Sequence, residues 1–145
     1  ILHFAGLYML DSLIEIPEED FERIFRVNFF GTAYINKVFM PLLNKGSRII
    51  MTTSELAPLN PLPFTELYAI TKSTLDKYAY SLKMELQLLD IEVSVIRAGA
   101  VSTGMLGVST NALNEFWEKT SVYKFADRQM LCSLRKYNNK RRIRK

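Results

Sequence analysis

Cysteine is nearly absent. Cys132 is the single thiol among 145 residues, which excludes an internal disulfide and suits a reducing, cytoplasmic setting. Long apolar runs are missing as well. Glu, Lys, Arg or Asn interrupts each hydrophobic stretch within a few residues, so no segment is expected to span a bilayer. The opening Ile1-Leu2-His3 has neither a basic region nor a small-residue cleavage site, and no secretory signal is expected. It starts without Met in an apolar run, so a true start further upstream is expected. Glycine is sparse too. None of Gly6, Gly31, Gly46, Gly99, Gly104 and Gly107 falls into a GxGxxG phosphate loop after a strand. No metal site is expected.

What is present is ordinary globular material: 48% hydrophobic and 23% charged residues argue for one packed domain and against disorder. The net charge of +4 is misleading until it is located. Residues 123–145 hold nine of the nineteen Lys and Arg but only Asp127 among the fifteen acids, leaving residues 1–122 with ten bases and fourteen acids, a net of −4. The expected organisation is therefore a mildly acidic domain, 1–122, joined to a basic, disordered and dispensable tail, 123–145. The tail has no aromatic ladder for stacking bases, so nucleic acid is not an expected partner.

Residues 1–5 read as a short buried strand ending at Gly6. Pro17 followed by Glu18, Glu19 and Asp20 marks a helix start, with acids facing the positive end of the helix dipole. Phe21, Ile24, Phe25, Asn28, Ile35 and Phe39 recur at near-helical spacing, predicting one inward stripe on a helix running to about Pro41. Asn44-Lys45-Gly46 predicts a turn and Ser47 to Thr53 a second strand. Pro58, Pro61 and Pro63 keep residues 55–66 a loop. A helix from about Thr65 to Leu89 follows, its apolar stripe Leu75, Tyr78, Leu82, Leu86 and Leu89. Ile91 to Ile96 predicts a third strand, left at Ala98-Gly99, and Leu113, Phe116 and Trp117 a short helix. Strands separated by crossovers this long give a parallel α/β sheet, whose site lies beyond the carboxyl ends of the strands. The chain leaves those ends at Gly6, Ser54 and Ala98.

Tyr68 and Lys72 stand four residues apart, on one face of the predicted helix. A phenol with an ordinary pKa near ~10 is a poor base, and a neighbouring cation favours its phenolate, so the pair is expected to be tuned toward working pH. Ser54, at a strand end, can reach the same carbonyl that Tyr68 would protonate. Asn28 is an unusual mid-helix residue among apolar neighbours, able to bend the helix or hold a water.

The order Ala5-Gly6, Asn28-x-x-Gly31, Ser54, Tyr68-x-x-x-Lys72 and Gly99-x-Val101-x-Thr103 resembles the short-chain dehydrogenase/reductase family over about residues 1–105. The resemblance implies the carboxy-terminal part of a Rossmann-like, doubly wound parallel sheet, with three strands, two long helices and a short carboxy-terminal helix. It implies an NAD(P)-dependent oxidoreductase that interconverts an alcohol with a ketone or aldehyde. Tyr68 would be the acid/base, Lys72 would lower its pKa and hold the nicotinamide ribose, Ser54 would orient the substrate and Asn28 would hold a relay water. NAD or NADP would meet Ala5, Gly6, Asn28, Tyr68, Lys72, Gly99, Val101 and Thr103. Homo-oligomers of the complete enzyme, pairing through helices 18–40 and 66–89, are also implied.

The chain departs from the family pattern in four places. His3-Phe4-Ala5-Gly6 stands where Asn-Asn-Ala-Gly is usual, and His3 reads as a structural strand histidine, with a replacement donor as the alternative. Arg97-Ala98-Gly99 replaces Asn-Pro-Gly, Thr53-Ser54 replaces Ser-Ser, and the phosphate loop with its two strands is missing. The chain as it stands is therefore expected to be inactive, and a second reading is a binding or assembly module lacking catalysis. A small apolar alcohol or carbonyl compound suits Leu56, Leu59, Leu62, Phe64, Met105, Leu106, Leu113, Phe116 and Trp117, if these line a pocket rather than a core.

Overall fold

In this computed structural model, residues 1–58, 63–99, 104–127 and 129 are described, with 66 and 104–111 as backbone only. Three parallel strands form one sheet in the order β1-β2-β3: β1 (Leu2–His3), β2 (Arg48–Ser54) and β3 (Glu92–Ala98). β-branched residues fill the middle of β2 and β3, where the alternation buries Ile49, Met51 and Val93. The β2–β3 register ends on Ser54 opposite Ala98, so both chains leave the sheet at one level.

The first strand is shorter and less buried than expected. Only Leu2 and His3 are paired, and Leu2 and Phe4 are 62% and 66% exposed. Among the described residues β1 has a strand on one side alone, so side chains that would be enclosed in the middle of a sheet face outward.

The first long helix is not continuous. α1 (Glu18–Phe25) enters a π turn at Arg26–Phe30 and resumes as α2 (Gly31–Phe39), closing in a 3-10 turn around Pro41. The expected stripe faces inward only in part, with Asn28 buried and Phe25 half-buried beside Ile24. Ile24 is fully buried, yet Phe21, Ile35 and Phe39 face outward with Phe30, Tyr34 and Val38. The buried face reads Ile24, Asn28, Thr32, Asn36. Polar residues occupy it because each finds a partner inside: His3 Nε2 lies 2.7 Å from Asn36 Oδ1, and Asn36 Nδ2 reaches the Tyr78 hydroxyl at 3.4 Å. His3 is therefore the structural histidine.

α3 (Glu66–Leu86) follows the expected pattern closely. Leu75, Ala79 and Leu86 bury against Ile49, Met51, Ile91 and Val93, with Tyr78 and Leu82 at the margin. Leu89 lies on the exposed 3-10 end. Asp90, at φ 56°, and Gly46, at φ 82°, pin the turns beneath the sheet through a 2.8 Å bond from Gly46 N–H to the Asp90 carbonyl. α4 (Gly104–Lys119) is longer than the short helix expected around Trp117. Its first turns contain Gly104 and Gly107, which mask helical periodicity in the sequence.

Candidate active site

Ser54 ends β2, and Tyr68 and Lys72 stand one turn apart on α3. All three are buried at the carboxyl edge of the sheet. The Ser54 and Tyr68 hydroxyls hydrogen-bond each other. Lys72 Nζ lies 5.8 Å from the Tyr68 ring centre and donates to the Thr52 carbonyl at 3.1 Å. Gly6 passes directly beneath it: a Cβ there would come within 3.2 Å of Nζ. A larger residue at this β1 exit would press on the Lys72 ammonium.

Asn28 is 1% exposed and carries the bend. Its amide grips the backbone of Leu7 from both sides, accepting from the N–H at 2.7 Å and donating to the carbonyl at 2.9 Å. The second N–H of Nδ2 reaches Thr71 Oγ1 at 2.9 Å, and that hydroxyl donates to the Tyr68 carbonyl at 2.8 Å. Asn28 thus ties the exit of β1 to the turn of α3 that presents Tyr68. The π turn supplies the extra reach inward. Gly31 permits it, since a Cβ would stand 3.2 Å from the Arg26 carbonyl.

The four expected catalytic residues are accordingly gathered in one cluster, with Gly6 and its neighbour Ala5 beside them. Gly99 lies close to Glu55, whose N–H donates to the Ala98 carbonyl at 3.0 Å. Val101, Thr103, Leu59 and Leu62 lie outside the described residues, as do the side chains of Met105 and Leu106. Sequence reasoning passed over Thr71, fully buried in the network, and Tyr8, whose ring centre is 5.0 Å from that of Tyr68. A threonine three residues after Tyr68 was the available signal for the first; Tyr8 had none.

The electrostatics differ from expectation. Burial pushes the Tyr68 pKa up from its usual value, opposed by the Ser54 hydrogen bond, and burial pushes Lys72 down. The ammonium does not dominate because its contact is with Thr52 rather than the phenol oxygen.

Two of the departures prove to be one feature. Thr53 and Arg97 pair across β2 and β3, and both bond Asp76 on α3: Arg97 bidentately at 3.0 and 2.7 Å, Thr53 at 3.4 Å. They brace the strand ends against the helix that carries Tyr68.

The short chain dehydrogenase family model matches residues 1–114, well over half the chain. This chain belongs to the short-chain dehydrogenase family. It is 31% identical over 120 residues to estradiol 17-beta-dehydrogenase 2 of Mus musculus, covering 82% of this chain and 30% of that protein. It is 29% identical over 101 residues to versicolorin reductase 1 of Dothistroma septosporum, covering 70% of this chain and 38% of that one. A solved short chain dehydrogenase from Burkholderia cenocepacia J2315, in complex with NADP, superposes with a TM-score of 0.70 at 25% identity, over 79% of this chain and 47% of that one. The chain thus spans about a third of the length of these curated relatives. No described helix is long and apolar enough to cross a membrane.

Proposed function

We propose that this chain carries the catalytic part of an NAD(P)-dependent oxidoreductase that interconverts an alcohol and a ketone or aldehyde. The observation that carries the proposal is the buried Ser54–Tyr68 hydrogen bond, with Lys72 one turn away, at the carboxyl edge of a parallel sheet. Tyr68 gives its proton to the carbonyl oxygen in reduction and takes it back in oxidation. Ser54 holds that oxygen in place and shares the charge that develops on it. Lys72 commits one N–H to Thr52, leaving two donors that suit ribose hydroxyls. Ala5, Gly6 and Gly99, with Val101 and Thr103, would complete the cofactor contacts; when bound, the nicotinamide supplies or accepts the hydride. Asn28 has its amide committed to Leu7 and Thr71, so a relay water there would rest on the neighbouring main chain rather than on the Asn28 side chain.

An apolar, flat substrate fits best. Phe64, Phe116, Trp117 and Tyr123 gather at the mouth of the segment leading into α3, and the relatives' names point to a steroid and to a versicolorin. Self-association of the complete enzyme is supported by the apolar outer face of α1 and α2, where Phe21, Phe25, Phe30 and Tyr34 line a groove of about 580 Å³.

Tyr68→Phe in the complete protein tests the assignment. Turnover should fall by at least about a thousandfold while the far-ultraviolet spectrum and cofactor affinity persist, because only the transferable proton is lost. Near-normal turnover would end the acid/base role.

A further inference from the structure

Glu15 makes contacts that neither the catalytic cluster nor the core requires. Its carboxylate accepts from Thr120 Oγ1 at 2.5 Å, Ser121 N–H at 2.8 Å, Ser121 Oγ at 2.9 Å and Val122 N–H at 2.9 Å. These partners lie more than a hundred residues away in the chain and immediately follow α4. The loop presenting Glu15 is braced in its own right. Buried Ser12 accepts from Ile14 N–H through its hydroxyl and from Ile16 N–H through its carbonyl. Asp11 N–H donates to the Phe64 carbonyl at 3.0 Å.

Phe64 joins the same collar from the other side. It holds a left-handed backbone, φ 67°, rarely adopted by an aromatic residue. Its ring packs 4.3 Å from Phe116 and 5.7 Å from Trp117. Four residues later the chain reaches Tyr68.

Topology says what the collar holds. α4 follows β3 in the chain, and the residues just past its far end are fastened to the loop that follows β1. Its 16 residues span about 24 Å, whereas three strands side by side occupy about 10 Å. The helix is therefore longer than the sheet is wide, and its last turns line a small cleft with Leu10, Asp11 and Glu15 of the loop whose Tyr8 packs on Tyr68.

We propose that Glu15 is the latch of this helix: a positioning residue that fixes the carboxyl end of α4 and so shapes an apolar wall, with Phe64 and Trp117, against which a flat ketone rests. The substrate class rests on the oxidoreductase reading; the latch does not.

Trp117 is the sole tryptophan, so its emission reports the collar directly. In the chain as it stands, Glu15→Ala should red-shift that emission and raise its acrylamide quenching. It should also weaken binding of prodan, a fluorescent naphthyl ketone, by about tenfold. Glu15→Gln, which keeps one acceptor oxygen for the backbone N–H groups, should recover part of both effects and guards against simple unfolding of the alanine variant. In the complete enzyme KM for an apolar ketone should rise more than kcat falls. Unchanged Trp117 quenching and prodan affinity in Glu15→Ala would overturn the latch, and altered quenching with unchanged prodan affinity would overturn the wall. A protein that binds prodan through the latch yet turns over no ketone would sink the oxidoreductase reading alone. Normal turnover and KM in Glu15→Ala would sink this proposal alone.

Discussion

Ser54 and Glu15 act on their partners through hydrogen bonds whose sign is readable. Burial raises the Tyr68 pKa and the Ser54 hydroxyl opposes that rise. Ser54→Ala removes the opposing bond, so the phenolate of Tyr68 should form at still higher pH, seen by carbon NMR of ring-labelled tyrosine. A titration unmoved, or moved to lower pH, would mean the bond does not favour the phenolate. Glu15 is lowered to about 2 from the ordinary 4.5, the Thr120 hydroxyl contributing most. A depressed carboxylate stabilises the fold above its unfolded pKa and loses that contribution as pH falls through the folded value. The thermal midpoint gap between the natural chain and Glu15→Ala should thus be full above pH ~5 and shrink toward pH ~2. Asp11, Glu115 and Lys119 line the same small cleft and are charged side chains beside it, so the comparison should be made at constant ionic strength. A gap that widens on acidification would refute this account.

At the scale of the element, the π turn is the most informative piece. It exists because Asn28 must reach Leu7, and Gly31 must tolerate the Arg26 carbonyl at close range. Asn28→Ala would leave the N–H and carbonyl of Leu7 without these partners in a part-buried setting, at about 1–3 kcal/mol per group. Urea denaturation should show a loss of that order, well above that of Val27→Ala on the outer face. A loss below ~0.5 kcal/mol would show that the turn does not depend on this grip. The same helix explains why periodicity misled. Its inward row is mostly polar and several of its apolar residues face outward, so a rule that equates apolar with buried misassigns part of the helix. Each polar member of the inward row was recognisable only with its partner in view: Asn36 with His3, Asn28 with Leu7 and Thr71.

For the molecule as a whole, the three strands bring Ser54, Tyr68 and Lys72 to one edge of the sheet, while no GxGxxG is encoded in these residues. Tight dinucleotide binding in such sheets relies on the pyrophosphate meeting backbone N–H groups at a glycine-rich turn and helix start. Isothermal titration of this chain with NADH or NADPH should therefore show no saturable binding at micromolar cofactor. Saturation there would mean that Lys72, Tyr68 and the Gly99 turn suffice, and that the phosphate loop is dispensable.

Resemblance to the family joined Ser54 and Asn28 to Tyr68 and Lys72; by itself the sequence determined the strand–helix alternation, the parallel sheet and the Tyr68–Lys72 pair. Local signals carry those: prolines and glycines punctuate, β-branched runs mark β2 and β3, and a spacing of four sets two side chains on one helical face. Only the tertiary structure decided the rest. Whether Phe21 and Phe39 point in or out, whether Lys72 faces Thr52 or the phenol, and that Arg97 and Thr53 share Asp76 all depend on partners distant in the chain. The Glu15 latch is the extreme case, since a glutamate in a loop becomes distinctive only when the end of a helix a hundred residues later delivers four donors to it.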